Sequence, residues 1–295
     1  EAVLTQRKID LVQTGTPYAV PPGQVLNGSG TRYQVFTPFL RAWREHCGQD
    51  PFSEVDVDWM TGIASDDLRV EGDTPAGELA ALDRWREFCA HDLDGYATRR
   101  DRPDLDATSR LSAALAFGEI HPRTMLADLA EVAVQSRESG VPAFEDIDRF
   151  VAELAWREFY ADVLWHHPES SDRDLRDGFR SMRYDEDSQG IEAWKAGVTG
   201  FPLVDAGMRQ LQETGWMHNR VRMVVASFLV KDLHAWWPVG AAYFMEQLID
   251  GDVASNSHSW QWVAGTGTDA APYFRVFNPV TQGKKFDPNG DYVRR

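Results

Sequence analysis

Two stretches carry side chains that could share one chemical task. Glu153, Trp156, Arg157 and Tyr160 stand at i, i+3, i+4 and i+7, so a helix places them on one face. Asn219, Arg222 and Met223 repeat the device in a second stretch, against a core stripe of Val221, Val224, Val225 and Phe228. A carboxylate, a guanidinium and an amide can hold polar edges, while an indole and a thioether pack on flat rings. That mixture suits a shared pocket. A solvated salt-bridge face is the competing reading of the same pattern. Thr108, Ser109, Arg110, Leu111 and Ser112 add hydroxyls and a cation at a helix start, where outward-pointing N–H groups suit a phosphate. Ordinary helix capping accounts for the same residues.

Other motifs lack the context their chemistry needs. Gly265, Gly267 and Ala270 imitate a G-x-G-x-x-A dinucleotide turn, but no strand pattern precedes them, so a loop is expected. His166 and His167 precede Pro168 near a helix end without the i, i+4 spacing of a metal pair, and read as an end cap. No metal site, phosphate-binding Walker loop or nucleophile elbow is expected. Cys47 and Cys89 have neither C-x-x-C nor zinc spacing, which points to a reducing, cytoplasmic compartment.

These residues need rigid elements to hold them, and the composition of the 295-residue chain is that of a globular protein with 43% hydrophobic and 26% charged residues. Its longest apolar run, around Met223 to Val230, falls far short of a membrane span. The net charge of −16 argues against a nucleic-acid partner on average. Arg209, Arg220, Arg222, Lys231, Arg275, Lys284 and Lys285 nevertheless collect among aromatics in the last third, which leaves room for a local basic face. The 11 Trp are more than a core requires, since each indole brings an N–H to satisfy. Residues 1–32 are rich in turn formers and read as irregular connector, whereas residues 33–295 read as all-α. Helices are expected from Thr74 as N-cap with Pro75 at the first position, then at 109–117, 122–136, 145–166, 190–196, 202–213, 217–235 and 239–249.

Three ordered motifs give this helical chain a resemblance. Trp156-Arg157-Glu158-Phe159-Tyr160, Gly215-Trp216-Met217-His218-Asn219-Arg220 with Arg222-Met223, and Asp250-Gly251-Asp252 through Asn256 to Trp260-Gln261-Trp262, followed by Thr266 to Arg275, resemble the flavin-binding helical domain of the photolyase/cryptochrome family. The similarity is greatest to bacterial enzymes acting on cyclobutane pyrimidine dimers. It implies bound FAD, reduced in the active form. Tyr96, Thr108, Ser109, Arg110, Leu111, Ser112, Arg157, Asn219, Arg222, Asp250, Asp252 and Asn256 would line the flavin site, with Arg222 and Asp250 as a buried ion pair. Asn256 would face flavin N5. Trp260, Trp237 and Trp194 match a tryptophan chain carrying electrons from flavin to surface, because indole is readily oxidised.

The resemblance further implies light-driven repair of pyrimidine dimers in DNA by a monomer. Trp156 and Trp262 would be stacking walls, Glu153 and Asn219 the polar groups for base edges, with Met223, Arg220 and Arg275 also at the lesion and DNA. In the related (6-4) enzymes a pair of histidines occupies the positions of Asn219 and Met223. The alternatives are a cryptochrome-type photoreceptor without repair, or a light-independent flavin- or DNA-binding module. An antenna chromophore belongs to an N-terminal α/β domain of which residues 1–32 resemble only the end, so a longer polypeptide is expected. Phe150 stands where the family often has Trp.

Overall fold

In the computed structural model, residues 4, 6–7, 15–48, 50–51, 58, 61–62, 75–185, 188–270 and 275–295 are described. The chain is all-α: among these residues the only strand-like pairing is an isolated bridge between Leu26 and Arg32. Among the described residues thirteen α-helices follow in order. They are α1 (Phe36–His46), α2 (Glu78–His91), α3 (Tyr96–Arg99), α4 (Ser112–Phe117), α5 (Pro122–Ser139), α6 (Phe144–His166) and α7 (Ser188–Lys195), then α8 (Pro202–Thr214), α9 (Asn219–Ser227), α10 (Trp237–Gln247), α11 (Val253–Ala264), α12 (Pro279–Phe286) and α13 (Asp291–Arg294).

Local chemistry sets the ends of the elements that matter for the site. Pro122 opens α5 at N1, with the His121 side chain accepting from Arg123 N–H. Pro202 opens α8, and Gly215, at φ 65°, closes it in the left-handed conformation that glycine adopts without a Cβ clash. Asp252 caps α11 by accepting from Ser255 N–H at 2.7 Å. Five residues, Phe228–Asp232, continue α9 as a π-type turn.

Several boundaries depart from the sequence expectation. Thr74 lies outside the described residues, and α2 starts at Glu78 behind Gly77, whose N–H donates to Glu119. The helix expected from 109 starts at Ser112, and its cap, Leu111, makes no side-chain hydrogen bond. Asn219 begins its helix, two residues later than expected, because His218 takes the N-cap. The run Val253–Ala264 shows no helical period, being rich in Ser and Asn that favour local hydrogen bonds, yet it is helical throughout.

Among the described residues three buried clusters make up the core. The first gathers residues of α8, α9, α10 and α11 with Trp194 of α7; the second joins α2 through α5 to the start of α6. The third fastens residues 19–25 and α1 to the rest of α6. Thus α6 serves two clusters, which its 23 residues are long enough to do, and α11 packs against both α6 and α10. Close approach of α10 to α11 depends on Gly240, where a Cβ would lie 2.2 Å from the Trp260 ring.

The opening segment is more firmly held than an irregular connector suggests. Glu158, buried in α6, accepts from Ala19 N–H, from Val20 N–H at 3.0 Å and from the Trp43 indole. Asp162, one turn on, accepts from Gly23 N–H at 2.8 Å. Burial raises the Glu158 carboxyl above its ordinary range, and these three donors pull against that rise.

Candidate functional site

The first site residues come together where the segment after α3 meets the start of α9. Arg100 pairs with Glu153 of α6 and lies over the Tyr96 ring. Asp101 pairs with Arg220 at 2.9 Å. Arg110 stacks on the Trp216 ring at 4.5 Å. Burial raises the Glu153 carboxyl, against the opposing pull of Arg100; burial likewise raises the Tyr96 phenol. Arg100, Asp101, Trp216 and His218 are absent from the sequence-derived set. The run Arg99-Arg100-Asp101-Arg102, an unusual charge density between two helices, was the available signal.

Arg222 reaches from α9 to Asp250, with Nη2 2.7 Å from Oδ2, while its Nε donates to Met217 O at 2.8 Å. The Asp250 side chain is almost wholly enclosed, so the pair is electrostatically strong and depends on both partners. Asn219 and Met223 face each other one turn apart, with Nδ2 4.0 Å from Sδ. Asn256 on α11 donates to Ala241 O at 2.9 Å.

Other expected members take different stations. Arg157 donates to Pro17 O and Leu115 O, both at 3.0 Å, and lies over the Tyr18 ring. The Thr108 and Ser109 carbonyls accept from Arg84. Exposed Arg110, at φ 53°, pairs with Asp106 at 2.8 Å. The Arg110 charge is thus already matched within the segment. Trp156 stacks on Phe36 at 3.7 Å and 8° and also meets the Tyr160 ring, with centroids 5.4 Å apart. Trp262 packs near Phe277, with Arg275 over its ring at 5.3 Å.

The tryptophan chain needs a correction. Trp194 has no exposed surface, donates its N–H to Val225 O at 3.0 Å and meets Trp260 edge to face, with centroids 6.1 Å apart. It is a core residue and cannot end a path at the surface. Trp237 is also enclosed, its N–H donating to Asp174 at 2.9 Å. The exposed indole beside it is Trp236, 6.3 Å from the Tyr184 ring.

His218 stands just before Asn219 and, unlike that exposed residue, is buried. As N-cap it turns inward, and its Nδ1 accepts from Arg220 N–H at 3.1 Å. Burial pushes its pKa down to about 4; burial does the same to His258, which stacks on Tyr160. Both rings are neutral in the folded protein at pH 7 and would take up protons near 6.5 once unfolded. Stability from this source is complete above 6.5 and is lost as pH falls towards 4, by about 2 kcal/mol per ring between pH 7 and pH 5. Urea midpoints of the protein and of His258→Gln across that range check this: the variant's profile should be flatter. Parallel profiles would show that His258 does not contribute.

Known proteins resemble this chain in sequence and fold. Residues 150–295 match the family model described as the FAD-binding domain of DNA photolyase. The deoxyribodipyrimidine photo-lyase of Salmonella typhimurium is 43% identical over 288 residues, covering 93% of this chain and 60% of the relative. The chain belongs to the photolyase/cryptochrome family. A bacterial class III photolyase from Agrobacterium tumefaciens superposes with a TM-score of 0.87 at 39% identity, covering 100% of this chain and 63% of that one. A Synechocystis cryptochrome superposes with a TM-score of 0.82 at 29% identity, covering 99% of this chain and 63% of that one. The chain thus spans about three-fifths of the length of its photolyase relatives.

The photolyase helical domain binds FAD, and the residues present here suit that cofactor. Three buried polar atoms near the start of α9 have no hydrogen-bond partner among the described residues: Asp250 Oδ1, His218 Nε2 and Arg220 Nε. An acceptor and two donors are therefore left for a group rich in ring nitrogens, carbonyls and hydroxyls. Among the described residues no set of three His, Cys, Asp or Glu could hold a metal ion, and no helix is long and apolar enough to cross a membrane.

Proposed function

We propose that this chain is the flavin- and lesion-binding part of an enzyme that splits cyclobutane pyrimidine dimers in DNA under light. The observation that supports this reading is the enclosed Arg222–Asp250 pair on the helix that carries Asn219 and Met223, in a chain whose curated relatives are deoxyribodipyrimidine photo-lyases. In this reading Arg222, Asp250, Asp252, Asn256, Tyr96, Arg157 and residues 108–112 hold the flavin. The chemistry supplied by bound, reduced FAD in light is one electron lent to the dimer and recovered after its ring opens.

The protein's own residues position and shield. Trp156 and Trp262 serve as stacking walls for two adjacent bases of one strand turned out of the duplex. That turning costs a few kcal/mol, against which stacking returns about 1–3 kcal/mol per base. Glu153, held by Arg100, and Asn219 meet the polar base edges. Illuminating the flavin-loaded, reduced protein with a dimer-containing oligonucleotide tests the reading: intact thymines should appear in light and not in darkness. A cryptochrome-type photoreceptor, favoured by the Synechocystis neighbour, would bind flavin and repair nothing.

The cationic rim expected from Arg220, Arg275, Lys284 and Lys285 is smaller than the sequence suggests, because Arg220 is largely buried and matched by Asp101. Arg275, Lys284 and Lys285 have no carboxylate partner among the described residues and remain for phosphates. Three such contacts predict about a 40-fold loss of affinity for damaged DNA over a fourfold rise in salt. Fluorescence anisotropy at two salt concentrations checks it; unchanged affinity would contradict these contacts.

A further inference from the structure

Every buried indole N–H needs an acceptor, and the nature of that acceptor decides where the proton goes if the ring loses an electron. Oxidation turns an indole N–H from a very weak acid into one about as strong as a carboxylic acid. A peptide carbonyl is too weak a base to take such a proton, as at Trp194 with Val225 O. A carboxylate can take it. Trp237 donates to Asp174 Oδ1 at 2.9 Å, and both side chains are enclosed. Bulk water therefore cannot serve in place of Asp174.

The surroundings put this pair on a route to solvent. Asp174 stands close enough to the Tyr184 phenol to help burial push its pKa up to about 12. Tyr184 and exposed Trp236 line a surface cavity of about 590 Å³ with Asp185, Ser188, Ile191 and Ala235, wide enough for a small reductant. On the inner side, Gly240, one turn along α10 from Trp237, lies against the Trp260 ring.

We propose that Asp174 is the proton acceptor for Trp237 when light-excited, oxidised flavin takes an electron from that indole. The inference rests on the flavin reading above. One electron leaves the indole for the flavin, the Nε1–H bond breaks, and an O–H bond forms on Asp174. The products on the protein are a neutral indolyl radical and a carboxylic acid. A thiolate in solution later returns the electron and becomes a thiyl radical, and the proton moves back from Oδ1 to Nε1. Separating the proton from the hole slows charge return and holds the electron on the flavin side.

Flash photolysis of the oxidised, flavin-loaded protein, in ordinary and heavy water, tests this. The wild type should give the visible spectrum of a neutral indolyl radical, formed more slowly in heavy water. Asp174→Asn keeps an acceptor oxygen but cannot take the proton. It should give the radical cation, no isotope effect and a lifetime shortened about tenfold, equivalent to a small fall in the barrier to charge return. A radical cation without isotope effect in the wild type overturns the assignment and needs no variant to show it. An Asp174→Asn spectrum and lifetime identical to the wild type would do the same. Absence of any indole radical in the flavin-loaded wild type would overturn this proposal alone, whereas failure of the protein to take up flavin at all would remove the flavin reading, and this proposal with it.

Discussion

Asp250→Ala protein should leave purification with less than about a tenth of the flavin bound by the wild type. Removing one partner of an enclosed ion pair costs about 3–5 kcal/mol, because the other charge is left without compensation. Arg222 keeps about a quarter of its side chain exposed, so the lower figure applies. Three kcal/mol is about a hundredfold in affinity if it falls on the cofactor rather than on folding. Asp250→Asn separates the two. It retains the shape and one acceptor oxygen, so it should fold and lose flavin to a lesser degree. The ratio of flavin to protein absorbance, read beside circular dichroism of each variant, gives the result. Full flavin occupancy in folded Asp250→Ala would contradict the placing of Asp250 at the cofactor.

Some of the local arrangement was legible from side-chain types at helical spacing. Glu153, Trp156, Arg157 and Tyr160 do lie on one helix, and the ion pair of Arg222 with Asp250 forms as the resemblance implies. What spacing cannot supply is the partner across space. Arg100 is separated from Glu153 by 53 residues, and nothing in either local pattern announces the pair. Nor does spacing fix burial. Trp194 and Trp236 are equally good candidates for a surface indole by sequence, yet the first has no exposed surface and the second keeps 40%.

Helix ends failed for a related reason. Hydroxyls at Thr108 and Ser109 look like caps, but the left-handed Arg110 turns the chain between them and the helix, so their carbonyls meet Arg84 instead. His218 shows the converse. An imidazole is an uncommon N-cap, and in that role the ring is buried with Nδ1 on the Arg220 N–H instead of lying on a face of the helix.

The lesion repaired should be the cyclobutane dimer and not the (6-4) photoproduct. Reversing the latter moves a hydroxyl group, which requires a side chain that can give and take a proton within hydrogen-bond reach. Asn219 and Met223 face each other across one turn of α9, and neither titrates. His218 is the nearest imidazole in sequence. Its Nδ1 is occupied by Arg220 N–H, and burial holds its pKa at about 4, so it is neutral at working pH and a poor proton donor. Cyclobutane splitting needs no proton transfer of this kind. The Asn219 amide can donate to a base carbonyl and the Met223 thioether can pack on the ring, which is the whole demand on that helix face. Illuminating the reduced, flavin-loaded protein with oligonucleotides carrying each lesion separately decides the matter. Dimer repair should exceed (6-4) repair by at least about a hundredfold, the loss expected when a general acid is missing. Asn219→Ala should slow dimer repair by about tenfold, the worth of one hydrogen bond of about 1 kcal/mol or slightly more. Efficient (6-4) repair by the unaltered chain would refute the assignment of Asn219 and Met223 to the lesion.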